Sequence, residues 1–250
     1  LCGASEEIED LLPSPRLDDT WTKHLPTDDG AEADQIFSFD GKTNAIEIPS
    51  TKLNHTLQRQ FTISTWMKHE ENVDDDQEGG TKEHIMCNAD GEKMNRHHYS
   101  LFLHRCRLVF LLRQEPESAD DLNVFKPAEW RFKLAEVCDG QWHHYALTVD
   151  FPSVRLYIDG RQYMEQKHNP DVIDDWPLHP SKKVHFTKLV VGACWMGGSR
   201  QLTAYFRGYL AGLSLLNGRA ESDRVIQCLN NCKEKLDFHA MNEMETGMSV

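Results

Sequence analysis

Thirteen histidines and seven cysteines carry most of the reactive chemistry available to this 250-residue chain. Two tandem histidine pairs stand out, His97-His98-Tyr99 and Trp142-His143-His144-Tyr145. Imidazole can ligate zinc or move a proton near neutral pH. The spacing argues against both uses. Neighbours on a strand point to opposite faces, so each pair offers one histidine per face, and a zinc site would need further ligands from separate strands. Both pairs are read as structural, with Trp142 a buried core anchor and a histidine hydrogen-bonding at the strand start. The cysteines are Cys2, Cys87, Cys106, Cys138, Cys194, Cys228 and Cys232, and no two are separated by the two residues of a zinc knuckle or redox motif. Scattered cysteines among strands imply disulfides and an oxidising compartment, with buried thiols as the alternative.

Catalytic patterns are missing. No Glu-x-Asp-x-x-Glu strand places paired carboxylates on one face for glycoside hydrolysis. No nucleophile elbow, phosphate loop or zincin helix is present. The net charge of -13 makes nucleic acid a poor partner and suits solubility, a basic partner or bound calcium. The acidic stretch from Glu70 to Glu83 is read as a solvated loop, with a cation-binding loop as the alternative that the absent EF-hand spacing disfavours. Asp90, beside Gly91 in a hairpin loop, is the candidate calcium contributor, with an ordinary turn aspartate as the other reading; no other cofactor is expected. Asn54-His55-Thr56 is a glycosylation sequon. Trp176 and Trp195 are candidate partner anchors, with packing at a sheet edge as the alternative.

The elements that position these residues are mostly strands. Leu147 and Val149 alternate with Ala146, Thr148 and Asp150, and Val154, Leu156 and Ile158 alternate with Arg155 and Tyr157. Two such runs joined through Pro152 and closed by Asp159-Gly160 predict an antiparallel hairpin with one buried face. Phe61, Ile63, Thr65 and Met67 share one face of another strand, and Thr62, Ser64 and Trp66 the other. Further strands are expected at 84–87, 99–103, 107–112, 130–134, 189–192 and 206–215. Only Glu221 to Cys232 reads as helix, capped by Ser222, with Val225, Ile226 and Leu229 on one face. The expected organisation is a lead-in over 1–34, a two-sheet antiparallel β-sandwich over 35–220, a helix packed on it over 221–236, and a following region over 237–250. No apolar run is long enough to span a bilayer, and the start at Leu1 suggests a piece of a longer chain.

Strand directions allow one disulfide to be placed. Cys106 lies at a hairpin turn; the chain runs away through Leu112 and returns through Phe132 to Cys138, so the two should meet at the same end of the sandwich. Cys194, Cys228 and Cys232 are expected to form another neighbourhood.

Gly140-Gln141-Trp142-His143, the strand closing in Asp159-Gly160, Val191-Gly192 and Phe206-Arg207-Gly208-Tyr209-Leu210 resemble the laminin G or LNS jelly roll, a concanavalin-like sandwich. Phe61 to His69, Cys138 to Leu147, Val191 to Trp195, Gly208 to Gly212 and the tail from Val225 to Glu234 are similar to the calsyntenin (alcadein) family. That resemblance implies the extracellular or lumenal part of a type I membrane protein at a postsynaptic site, with cadherin repeats before it and a membrane span and cytoplasmic tail after it. It further implies a glycoprotein module of cell adhesion that binds neurexin-type partners without catalysis, touching a membrane only through the parent chain's span. The alternatives are a structural spacer and a carbohydrate-binding, lectin-like module.

Overall fold

A computed structural model describes residues 36–49, 57–70, 82–89, 97–113, 127–150, 153–164, 188–196 and 199–231. Fourteen strands and one α-helix lie among these residues: β1 (Ile36–Asp40), β2 (Ile46–Pro49), β3 (Gln60–His69), β4 (Glu83–Ala89), β5 (His97–Leu103), β6 (Arg107–Arg113), β7 (Pro127–Lys133), β8 (His143–Asp150), β9 (Ser153–Ile158), β10 (Arg161–Gln162), β11 (Lys188–Val191), β12 (Cys194–Met196), β13 (Gln201–Thr203), β14 (Arg207–Asn217) and α1 (Asp223–Asn231). A 3-10 turn, Ala135–Cys138, joins β7 to β8.

Two six-stranded antiparallel sheets form the sandwich. The first runs β1-β14-β3-β8-β9-β10, the second β2-β11-β4-β5-β6-β7, and β12 pairs with β13 apart from both. Period-two alternation sets which side chains go inside. Phe61, Ile63 and Met67 of β3, Leu147 and Val149 of β8 and Leu156 of β9 meet Leu101, Leu108, Phe110 and Leu112 of the second sheet in one apolar core. Residues one step out of phase face outward and form separate small clusters.

Both outer faces are nonetheless buried over their centres. On the first sheet, α1 lays Ile226 and Leu229 on Ala146 and Tyr157. The Tyr157 hydroxyl donates to Asp223 at 2.5 Å, and the Ser222 carbonyl accepts from the Ile226 amide, as an N-cap residue does. On the second sheet, Phe102, Val109 and Leu111 are buried together, and β12 seats Cys194 and Trp195 against Cys87 and Ala89 of β4.

Several sequence expectations change. Trp142 is half-buried outside the core, in an outer-face cluster with Trp66, Ala211 and Ile36. Glu83, read as the end of a polar loop, is buried at the first position of β4, which runs on to Ala89. The β8–β9 connection at Pro152 lies outside the described residues, as do the lead-in and the region after Asn231.

Candidate functional site

The described residues that could do chemistry converge on one end of the sandwich. Here β3, β5, β7 and β9 end and β4, β6, β8 and β14 begin. Arg105 and Cys106 turn the chain between β5 and β6 with φ of 51° each. Cys106 is joined to Cys138 of the 3-10 turn, with Cα atoms 5.4 Å apart. This bond holds the passage from the second sheet to the first, because β8 begins five residues beyond Cys138. It is the pairing that the strand directions predict.

His143 opens β8 at this rim, between two carboxylates. Its Nδ1 lies 2.7 Å from Asp159 Oδ2 and its Nε2 2.9 Å from Asp139 Oδ2. Each aspartate also holds a backbone group: Asp139 accepts from the Gln141 amide at 2.8 Å, and Asp159 from the His144 amide at 3.0 Å. Partial burial lowers the proton affinity of His143, but the hydrogen bonds and charges of Asp159 and Asp139 outweigh it, so the net shift is upward. His144 goes the other way. It is buried against Trp66, ring centroids 5.2 Å apart, and burial depresses it to about 4 despite the Asp159 charge. Strand alternation separates the two neighbours His143 and His144 into opposite electrostatic fates.

A second histidine ties the sheets together. The His69 ring, at the end of β3, has Nδ1 2.9 Å from the Val137 carbonyl and Nε2 3.2 Å from Glu83 Oε1. Glu83 Oε2 accepts from the Arg207 amide at 2.9 Å, linking β4 to β14. At the same end Asp40 closes a tight loop, accepting from the amides of Lys42, Thr43 and Asn44 and from Thr43 Oγ1. Slight desolvation raises its pKa, and these bonds together overcome it and hold the carboxyl well below the usual range.

Cys194 requires a correction. It is expected near Cys228 and Cys232, yet it is bonded to Cys87, with Cα atoms 5.2 Å apart. Cys194 sits on the outer face of the second sheet, whereas Cys228 belongs to α1 on the outer face of the first. The sandwich thickness separates them. His84, Cys87 and Cys194 have ligand atoms within 4.8 Å of one another, but the disulfide takes up both sulfurs, and His84 Nδ1 is 2.7 Å from Ser100 Oγ. Trp195, a candidate anchor, is half-buried against this disulfide. Asp90, Trp176, Asn54, Cys2 and Cys232 lie outside the described residues.

Sequence reasoning misses the acidic partners of His143, the His69–Glu83 pair and the Cys87–Cys194 bond. Asp139 four residues before His143 was a visible signal; Asp159 becomes one only after the hairpin register puts it beside β8.

A two-sheet jelly roll with a rim of this kind defines a concanavalin-like module. The chain belongs to the laminin G family described as the concanavalin A-like lectin/glucanases superfamily, whose family model matches residues 40–226. It is 47% identical over its full length to calsyntenin-1 of Danio rerio and 44% identical over 99% of its length to calsyntenin-2 of Homo sapiens. Those matches cover 24% and 25% of the relatives, so the chain spans about a quarter of their length. The calsyntenin resemblance carried by the Trp- and Cys-containing blocks is therefore shown. Among solved structures, the botulinum neurotoxin serotype G binding domain superposes with a TM-score of 0.54 at 12% identity, covering 79% of this chain and 42% of that one. At that identity the likeness is one of fold.

Proposed function

We propose that this laminin G-like domain is a non-catalytic recognition module in the extracellular part of a calsyntenin-type membrane protein, supporting synapse organisation through neurexin-type partners. The observation that carries the reading is the full-length similarity to calsyntenins. The buried centres of both outer faces favour contact through the rims and loops over ligand capture across a sheet. No described helix is long and apolar enough to cross a membrane.

The test is surface-immobilised neurexin ectodomain titrated with the purified chain and, in parallel, with a complete calsyntenin-type ectodomain, each with calcium and with chelator. Saturable binding by the chain supports the reading, and loss on chelation assigns calcium a role. Binding by the long ectodomain alone makes this domain a spacer. Binding by neither, together with selective retention on a glycan array, replaces the adhesion reading with a lectin one.

A further inference from the structure

The Asp139–His143–Asp159 arrangement joins three separate pieces of the rim. Asp139 follows the 3-10 turn anchored by the Cys106–Cys138 bond, His143 starts β8, and Asp159 sits in the turn between β9 and β10 with φ of 49°. That turn is the ledge on which α1 rests: a Cβ on Gly160 would lie 3.2 Å from Asn230 Cβ and 3.4 Å from Gln227 Cα. Both groups facing the His143 ring are carboxylate oxygens, which can only accept when ionised. A ring carrying hydrogen on both nitrogens satisfies both. A neutral ring has one N–H, so one carboxylate is left facing a nitrogen lone pair at hydrogen-bond distance.

We propose that His143 is a proton-operated clamp that, when charged, ties the disulfide-anchored 3-10 turn to the β9–β10 turn and so fixes the seat of α1, and that releases one of those turns on losing its proton. The surrounding titratable groups have the same polarity. Glu136 and Asp139 from the 3-10 turn and Asp159 from the β9–β10 turn all act on Tyr145, two residues along β8, whose hydroxyl is raised first by burial and then by these charges. His144, the other neighbour, is depressed by burial and stays neutral in the range where His143 titrates. The residue opposite on β3 is Met67, which carries no charge. The charged groups that act on His143 itself, Asp139 and Asp159, are thus both acidic. Because the folded His143 pKa is raised above its ordinary 6.5, the clamp's stabilisation is full below that value and is lost as pH rises through the folded pKa. The rim is tighter under mild acid than at neutral pH.

The experiment uses the full chain. His143 ring resonances are followed by NMR from about pH 5 to about pH 9, the span in which a histidine clamp operates. Amide hydrogen exchange, corrected for its intrinsic pH dependence, is measured alongside at Gln141, His144 and along α1. The expected result is a His143 midpoint above 6.5 that falls in Asp139→Asn and in Asp159→Asn, with several-fold faster exchange at those amides once pH passes the midpoint. His143→Gln should abolish the pH step in exchange. Should that variant not fold, Asp139→Asn decides the matter, since the Asp139 side chain is partly exposed and its loss leaves the Asp159 contacts in place. A midpoint unmoved by either aspartate substitution, or exchange at α1 with no step across the His143 titration, overturns the clamp.

Discussion

At the scale of single residues, the tandem histidines show how little a residue type says before its face is known. His144 lies among buried groups with its Nδ1 lacking a hydrogen-bond partner, and its proton affinity is depressed by burial to about 4. The unfolded chain therefore binds a proton between about pH 6.5 and pH 4 that the folded chain refuses, so this residue costs stability as pH falls through that window. His144→Phe, which keeps a ring against Trp66, is expected to flatten the loss of stability below pH 6.5, measured by urea unfolding at a series of pH values. Asp40 has the opposite sign. Its folded pKa lies below the ordinary carboxylate value, so its contribution is present above that ordinary value and disappears as pH falls through the folded one. The group is exposed, so screening trims its worth; Asp40→Ala should lower stability by about 0.5–1 kcal/mol at pH 7 and by nothing measurable at the acid extreme. Gly192 is constrained by space as well as by its φ of +80°, because a Cβ there would run into the Phe39 ring inside the core. Gly192→Ala should cost about 3 kcal/mol or more, read from the shift in urea midpoint.

At the scale of elements, the outer layer is the part built from fewest contacts. Helix α1 is held by Ile226 and Leu229 on Ala146 and Tyr157, and by the Tyr157–Asp223 hydrogen bond. Ile226 is fully buried. Ile226→Ala is expected to remove about 2–4 kcal/mol locally, so that α1 amides exchange early while β3 and β8 amides keep their protection. Uniform loss of protection throughout the sandwich would show instead that the helix and core unfold as one unit. Legibility follows the same division. The hairpin β8–β9 and the two faces of β3 could be read from the sequence because large apolar residues such as Phe61, Ile63 and Leu147 point into the core while small or polar ones such as Thr62, Ser64 and Thr148 point outward, even though both faces are buried. The helix was legible from Val225, Ile226 and Leu229. The β12–β13 hairpin was not, because three-residue strands are too short to show a period. Nor was the Cys87–Cys194 bond, since it depends on β12 packing on the outer face of β4, 107 residues away in sequence, which leaves no local signature. Trp142 was read as core from its type and its place beside a strand, yet that strand begins at the rim, where an outward indole finds Trp66 and Tyr209 rather than the interior.

At the scale of the whole molecule, the two disulfides among the described residues hold different parts of the sandwich. Cys106–Cys138 spans 32 residues and secures the crossing between sheets, while Cys87–Cys194 spans 107 and pins the outer hairpin to the second sheet. By the loop-closure argument the double variant Cys106→Ala/Cys138→Ala should lose about 3–4 kcal/mol, and the corresponding pair at Cys87 and Cys194 about 1 kcal/mol more. Unfolding midpoints in urea compare them. Equal behaviour of the two variants and the parent would mean that the packed core alone fixes the native arrangement.

The placement of β1, β14 and α1 has a mechanical consequence. β1 begins opposite Ala211 of β14, and β14 runs on toward the same end of the sandwich before the chain reaches α1. Tension applied between residues just before β1 and just after α1 therefore falls first on the β1–β14 pair and the helix seated on the first sheet. The antiparallel β1–β14 pair is pulled from one end, so its hydrogen bonds open in succession before load passes through β2 to the second sheet. A domain so connected yields first at its edge strand and helix, drawing Phe39 out of the core as β1 leaves, and lengthens before the rest of the sandwich opens.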